Sequence, residues 1–383
     1  MFSADGHAIP RIAACVGMSF WKRRRISELL SRENQCPRFV RRTPKAVAIA
    51  RRDGGGIAVW ATREPPELAS AAAVSNVPVY RVEDGFLRSV GLGANFTPGV
   101  SIVIDGDGIY FDPRRPSGLD RILNDTIFEP AMISRARELA RLLVRSGITK
   151  YNVGGTMPLL DLPPGRRTIF VPGQVENDRS VVLGGAGIAR NIELLRRVRA
   201  ENPDAFILYK PHPDVEAGHR PGLVPTEDLL RLADLVLSKV SVAAILAAVD
   251  EVHTLTSLAG FEALLRGKRV VVHGQPFYSG WGLTEDRAPT PHRTRRLTLE
   301  ELVAGALILY PRYLDPVTRL PCGPELVIER LSRCEHWRPG PLAHLRRLQG
   351  AVARKLRAGS ALTGRPTLGP LKAESPGRVE APR

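Results

Sequence analysis

From Lys45 onward, short apolar runs alternate with segments of helical period, the order that a parallel α/β architecture requires. "AVAIA" at 46–50 and "IAVWA" at 57–61 read as strands, "PPELASAAAVSN" as a helix, and "VPVYRVE" as a strand ending at Glu83. "SIVIDGDGIYFD" reads as a hairpin turning at Asp105, Gly106, Asp107 and Gly108. "AMISRARELARLLVRSG" has helical period and a glycine stop, and "LPPGRR" marks a boundary near residue 165.

The second half restarts the alternation. "TIFVPGQ" predicts a buried strand, "NIELLRRVRAEN" a helix, "AFILYKPHP" a strand and "TEDLLRLADL" a helix. "LAAVDEVHTLTS" runs from helix into strand, followed by the helix "LAGFEALLRGK" and the strand "RVVVHG". The expected organisation is two α/β units, 10–165 and 166–345, facing across a cleft. The basic segment 346–383, rich in Pro, Gly and Arg towards its end, has a composition expected to stay unfolded.

In open α/β sheets ligands bind beyond the carboxyl ends of the strands. Four turns of this kind converge on one rim: "VPGQVENDRS", "KPHPD", "TLTSLAGFE" and "HGQPFYSGWG". In TSLAGFE, Thr256 and Ser257 stand at a helix N-cap, Gly260 permits close approach and Glu262 lies inside the helix. The stretch reads as an anion site or as a plain capping box. His212 sits between Pro211 and Pro213, which restrict its direction, so it reads either as a ligand-facing donor or as a structural histidine. His212, Asp214, Glu216 and His219 lack the helical spacing of a metal site, and Asp105 with Asp107 reads as a turn rather than a metal-holding pair. "EDGFLRS" offers Glu83, Asp84 and Arg88 in the first half, and "GQVENDRS" offers Asp178 in the second; capping and salt bridging explain either one taken alone.

Composition adds compartment and partners. Cysteines 15, 36, 322 and 334 have no paired spacing, which fits a reducing compartment and a cytoplasmic protein. No apolar run reaches the roughly 18 residues of a membrane span, and "IAACVGMSF" precedes the basic "WKRRR", the reverse of a secretory leader. The net charge of +16 is concentrated at the ends, about +9 in residues 1–52 and about +8 in 338–383. That distribution suits an anionic membrane surface better than the continuous stripe of a nucleic-acid binder. Trp21 and the arginines before "ISELL" read either as an interfacial helix or as the solvated face of an ordinary one.

Taken together, "GMSFWKRRR", "EDGFLRSVGLG", "GQVENDRS", "KPHPDVEAGHR", "DEVHTLTSLAGFEALLRGK", "VHGQPFYSGWGLT" and "ALILYPRYLDPVT" closely resemble the KpsC (LipB) family of capsular polysaccharide biosynthesis proteins. The match runs from about Cys15 to Leu331. The resemblance implies a GT-B type fold of two Rossmann-like domains and a retaining transfer of Kdo (3-deoxy-D-manno-oct-2-ulosonic acid) from CMP-Kdo, with no metal and no further cofactor. It implies Asp178 as nucleophile and Glu83 as acid/base. His212, Pro213, Lys210, Thr256, Ser257, Gly260 and Glu262 fall on the nucleotide side, and Arg88, Gln174 and Gln275 near the sugar carboxylate or cleft wall. The implied acceptor is a Kdo-bearing lyso-phosphatidylglycerol, which would put the protein peripherally on the inner membrane beside other capsule proteins. KpsC proteins typically carry two such modules and this chain has room for one, so it would work with a partner module or form a single linkage. The alternatives are a non-catalytic capsule assembly or export adaptor of the same fold, or a transferase of a related CMP-sugar.

Overall fold

The computed structural model describes residues 10–31, 35–88, 99–148, 160, 162–238 and 240–332. The expectation for the tail after 346 therefore lies outside the described residues.

Two sheets organise the chain. The first contains β1 (Ile12–Val16), β2 (Arg38–Phe39), β3 (Gly56–Trp60), β4 (Val79–Asp84) and β5 (Ser101–Asp105). The second contains β6 (Thr168–Pro172), β7 (Phe206–Lys210), β8 (Leu235–Val236), β9 (Glu251–Thr254), β10 (Arg269–Val272) and β11 (Glu285–Asp286). The chain then returns: β12 (Pro311–Leu314) and β13 (Pro321–Cys322) complete the first sheet.

The order in the second sheet is β11-β10-β9-β6-β7-β8, every pairing parallel. Counted from β6 this is 6-5-4-1-2-3, the dinucleotide-fold order, whose switch point lies between β6 and β9. Both faces are covered, so the strands are apolar throughout and alternate residues serve different cores. Ile169 and Val171 of β6 pack with Leu194, Leu195 and Val198 of the helix Asn191–Glu201, while Phe170 points into the larger cluster. The first sheet reads β2-β1-β3-β4-β5-β12-β13, so its parallel part switches between β1 and β3. β5 runs antiparallel to both β4 and β12.

The two halves share one buried cluster, which joins Phe86, Val103, Leu123 and Leu139 to Phe170, Leu208, Phe261 and Phe277. A buried ion pair, Arg293 Nε to Asp120 Oδ1 at 2.8 Å, adds a polar tie between them.

Three expectations are corrected and one left open is decided. "AVAIA" lies in the helix Thr43–Asp53, because Pro44 opens it, Ala46, Val47, Ile49 and Ala50 form its buried stripe, and Gly54 at φ 66° closes it. A short apolar run has no period of its own to distinguish the two states. The hairpin at 101–112 does not form. Asp105 is buried and accepts from the amides of Asp107, Gly108 and Gly118 and from the Tyr310 hydroxyl, so it folds the turn inward. Of the two readings left open for the segment around Trp21, the ordinary helix is the one found: Arg23–Leu30 buries Ile26, Leu29 and Leu30 in the protein's own core, and only Phe20 ahead of it stands exposed among the large apolar residues there. Finally, the second unit does not run uninterrupted to 345, since 311–314 and 321–322 belong to the first sheet.

Candidate active site

The switch point of the second sheet carries a chain of hydrogen bonds. Gln174, two residues past β6, donates through Nε2 to Thr256 Oγ1 at 2.8 Å, and its Oε1 accepts from the Thr256 amide at 3.1 Å. Thr256 Oγ1 donates to Ser180 Oγ at 3.2 Å, and Ser180 Oγ donates to Asp178 Oδ1 at 2.8 Å. Asp178 caps the helix Arg179–Gly184 and also accepts from the Ser180 amide at 3.0 Å. Both bonds use Oδ1, so this exposed carboxylate is oriented while Oδ2 stays outside the cap.

Asn191 braces the same loop. Its Oδ1 accepts from the Gln174 amide, and its Nδ2 donates to the carbonyls of Gln174 and Gly222, each at 2.8 Å. Ser180 and Asn191 escaped the sequence reading. Their only signal there is position, Ser180 two residues beyond Asp178 and Asn191 at the start of "NIELL".

His212 follows β7 with extended backbone, as Pro213 requires of the residue before it. Its Nδ1 accepts from the Asp214 amide at 3.1 Å, capping the short helix Pro213–Glu216. An accepting Nδ1 puts the proton of the neutral ring on Nε2. Lys210 is buried with Nζ 3.6 Å from Glu216 Oε2, so it fastens the same short helix to β7.

Ser257 caps the helix Leu258–Leu264 by accepting from the Ala259 amide at 3.2 Å, and its carbonyl accepts from the Tyr278 hydroxyl at 2.5 Å. A Cβ on Gly260 would fall within 2.9 Å of the Tyr278 ring, so that glycine makes room for Tyr278. Glu262 is buried in the same helix, with Arg266 donating to its carbonyl at 2.8 Å. Gln275 bridges two loops: its amide donates to Gly184 O at 2.7 Å and its Nε2 to Pro289 O at 2.5 Å.

In the first half, Glu83 and Asp84 end β4, and the Asp84 amide donates to Glu83 Oε1 at 3.1 Å. Asp84 Oδ2 accepts from Lys22 Nζ at 3.1 Å and Arg88 Nε at 2.9 Å. Burial alone would raise the Asp84 carboxyl; Arg88 and Lys22 outweigh it and hold it well below the usual carboxylate range. Arg88 is buried with its Nε committed to Asp84.

Aromatic rings join the halves. Phe86 stacks on Phe277 with centroids 4.2 Å apart, and Phe277 lies 5.3 Å from Phe261, four residues past Ser257. A Cβ on Gly184 would sit 3.2 Å from Thr256 Cγ2 and 3.8 Å from Pro113 of the first half. Among the described residues no hydrogen bond or ion pair joins Glu83 to Asp178 directly. No three His, Cys, Asp or Glu side chains gather as a metal site among the described residues.

Two sheets with a shared core and a polar rim at the switch point define a GT-B type architecture. The chain belongs to the capsule polysaccharide biosynthesis protein family, whose model matches residues 56–157 and 138–313. It is 43% identical over 322 residues to the capsule polysaccharide modification protein LipA of Neisseria meningitidis, covering 83% of this chain and 45% of that protein. It is 48% identical over 257 residues to the lipopolysaccharide-processing protein LpsZ of Rhizobium meliloti, covering 66% and 58%. The chain thus spans about half the length of the curated relatives it matches. Two solved chains of Thermosulfurimonas dismutans KpsC are also similar. The β-Kdo 2,4 transferase is 32% identical with TM-score 0.72, covering 84% of this chain and 98% of that one. The β-Kdo 2,7 transferase is 35% identical with TM-score 0.68, covering 85% and 99%.

Proposed function

We propose that this chain is a retaining glycosyltransferase that moves Kdo from CMP-Kdo to a Kdo-terminated lipid acceptor in capsule synthesis. The observation that carries the reading is the Gln174–Thr256–Ser180–Asp178 chain, which orients an exposed carboxylate at the switch point of a nucleotide-fold sheet. The likeness to two β-Kdo transferases supports the sugar class.

In this reading Asp178 Oδ2 attacks the anomeric carbon of Kdo while the bond to the CMP phosphate oxygen breaks. A glycosyl ester forms and CMP departs. Glu83 then takes the proton of the acceptor hydroxyl as that oxygen attacks the same carbon and releases Asp178. His212 donates from Nε2 to the departing phosphate, with Ser257 and Thr256 beside it. Two inversions give net retention. An anionic membrane surface presents the lipid acceptor, and CMP-Kdo is the donor substrate, with no metal or cofactor in the cycle.

The test is intact-protein mass spectrometry after incubation with CMP-Kdo alone, together with CMP release when acceptor is present. A mass gain of one Kdo residue mapped to Asp178, lost in Asp178→Ala, is expected. Equal CMP release by wild type and Asp178→Ala would overturn the assignment, and an adduct formed only from another CMP-sugar would replace the donor.

A further inference from the structure

The segment after β1 carries Lys22 to the switch point of the first sheet, where the ends of β1 and β3 adjoin. Its Nζ lies 3.4 Å from the centroid of the ring of Trp60, the last residue of β3, and donates to Asp84 Oδ2 at 3.1 Å. Arg88 meets the same oxygen at 2.9 Å, and the Asp84 amide holds Glu83 Oε1 at 3.1 Å. The Lys22 side chain is only 15% exposed.

One guanidinium is enough to neutralise Asp84, and withdrawing a second cation from water is costly unless another anion answers it. Burial pushes the Lys22 ammonium down from its ordinary range, and Asp84 and then Glu83 oppose that push. Among the described residues two cations therefore stand against two carboxylates, and the second carboxylate is the proposed acid/base. Among the described residues, other charged or titratable neighbours include Arg25, whose Nε donates to Gly99 O at 3.2 Å, and Tyr110, whose hydroxyl lies 3.5 Å from Asp84 O.

Resting on the reading of Glu83 given above, we propose that Lys22 is a positioning residue for Glu83. It fixes Asp84, whose amide fixes Glu83, and it supplies the positive charge that keeps the Glu83 carboxylate ionised to take the acceptor proton. The sequence assigns Lys22 to a basic cluster at the protein surface; the fold turns it inward.

The experiment follows CMP release from CMP-Kdo with acceptor between about pH 5 and 9 for wild type, Lys22→Met, Lys22→Arg and Glu83→Gln. Lys22→Met is expected to lower kcat at neutral pH about 10-fold, leave the donor KM within about threefold, and move the acid limb of the profile up by about one pH unit. Lys22→Arg restores the limb because it keeps the charge. An unmoved limb in Lys22→Met overturns the proposal, as does a raised donor KM at unchanged kcat, which makes Lys22 a substrate contact. If Lys22→Met does not fold, Asp84→Asn decides. It removes an anion and leaves both cations, so its limb moves to lower pH, and an unmoved limb is equally fatal. Glu83→Gln separates the two levels. Full turnover in that variant removes the acid/base reading and this inference with it, whereas an inactive Glu83→Gln beside an unaltered Lys22→Met removes the inference alone.

Discussion

His212 caps a helix through Nδ1, and in the proposed cycle it also donates to phosphate through Nε2; substitution separates the two. Asparagine also accepts the Asp214 amide at an N-cap but has no donor at the position of Nε2. His212→Asn is therefore expected to melt close to wild type and to lose about 10²-fold in kcat, whereas His212→Ala also loses about 1 kcal/mol of stability. Thermal melts beside turnover check this; equal turnover in wild type and His212→Asn would leave the ring a purely structural cap. Gly260 behaves in the opposite way, as a packing residue inside a site motif. Gly260→Ala drives a methyl into Tyr278, so about 1–3 kcal/mol of stability is expected to go, read as a melting point lower by several degrees. A melting point within about one degree of wild type would show that Tyr278 yields freely. The residue scale is also where sequence reading reached least far. Asp178, His212 and Ser257 stand out by their neighbours in the chain, and Asp178 takes its bonds from nearby Ser180, but the Thr256 hydroxyl that holds Ser180 lies 76 residues away. No local pattern carries a contact of that range.

At the scale of elements, the β9–β10 pair buries a titratable cluster outside the proposed chemistry. His253 Nδ1 meets His273 Nε2 at 3.2 Å, and His253 Nε2 meets Glu251 Oε1 at 3.3 Å. Burial, and secondarily His253, hold the His273 imidazole down to about 4 from its ordinary 6.5. The unfolded chain takes up a proton in that window and the folded one refuses it. The contribution of this group is thus complete above about pH 6.5 and falls away as the pH drops to about 4, on the order of 3 kcal/mol in all. Melting points across that window are expected to decline less steeply in His273→Asn, and parallel slopes would contradict the account. Elements themselves were legible where length and period agreed, as in β6, β7 and the helix Pro130–Arg145. They were not where five apolar residues fit either state, as in 46–50, or where a strand's partner lies far along the chain, as β12 does for β5.

At the scale of the whole molecule, charge and cohesion have separate sources. No helix among the described residues is long and apolar enough to cross a membrane. With the first helix's apolar face buried, the proposed membrane contact falls to electrostatics from the basic ends, at roughly 1 kcal/mol per well-placed cation. Binding to vesicles containing anionic lipid is expected to drop at least tenfold on deleting 338–383 and again in high salt; salt-independent binding would point to apolar insertion. Cohesion between the halves rests on their shared core, which includes the Phe86–Phe277 stack, and on polar ties such as the Arg293–Asp120 pair. Asp120→Asn leaves a buried guanidinium without its counter-charge and is expected to cost about 3–5 kcal/mol, measured by denaturant unfolding. A loss below about 1 kcal/mol would show that the pair is dispensable.

The return of β12 and β13 to the first sheet bears on how the polypeptide is made. Its opening layer stays unfinished along one border until more than 300 residues have left the ribosome, because β5 waits for Pro311–Leu314. A fragment cut at the apparent midpoint would expose that raw border to any passing strand. Expressing the leading half alone therefore invites aggregation unless the closing residues 311–332 are grafted back on.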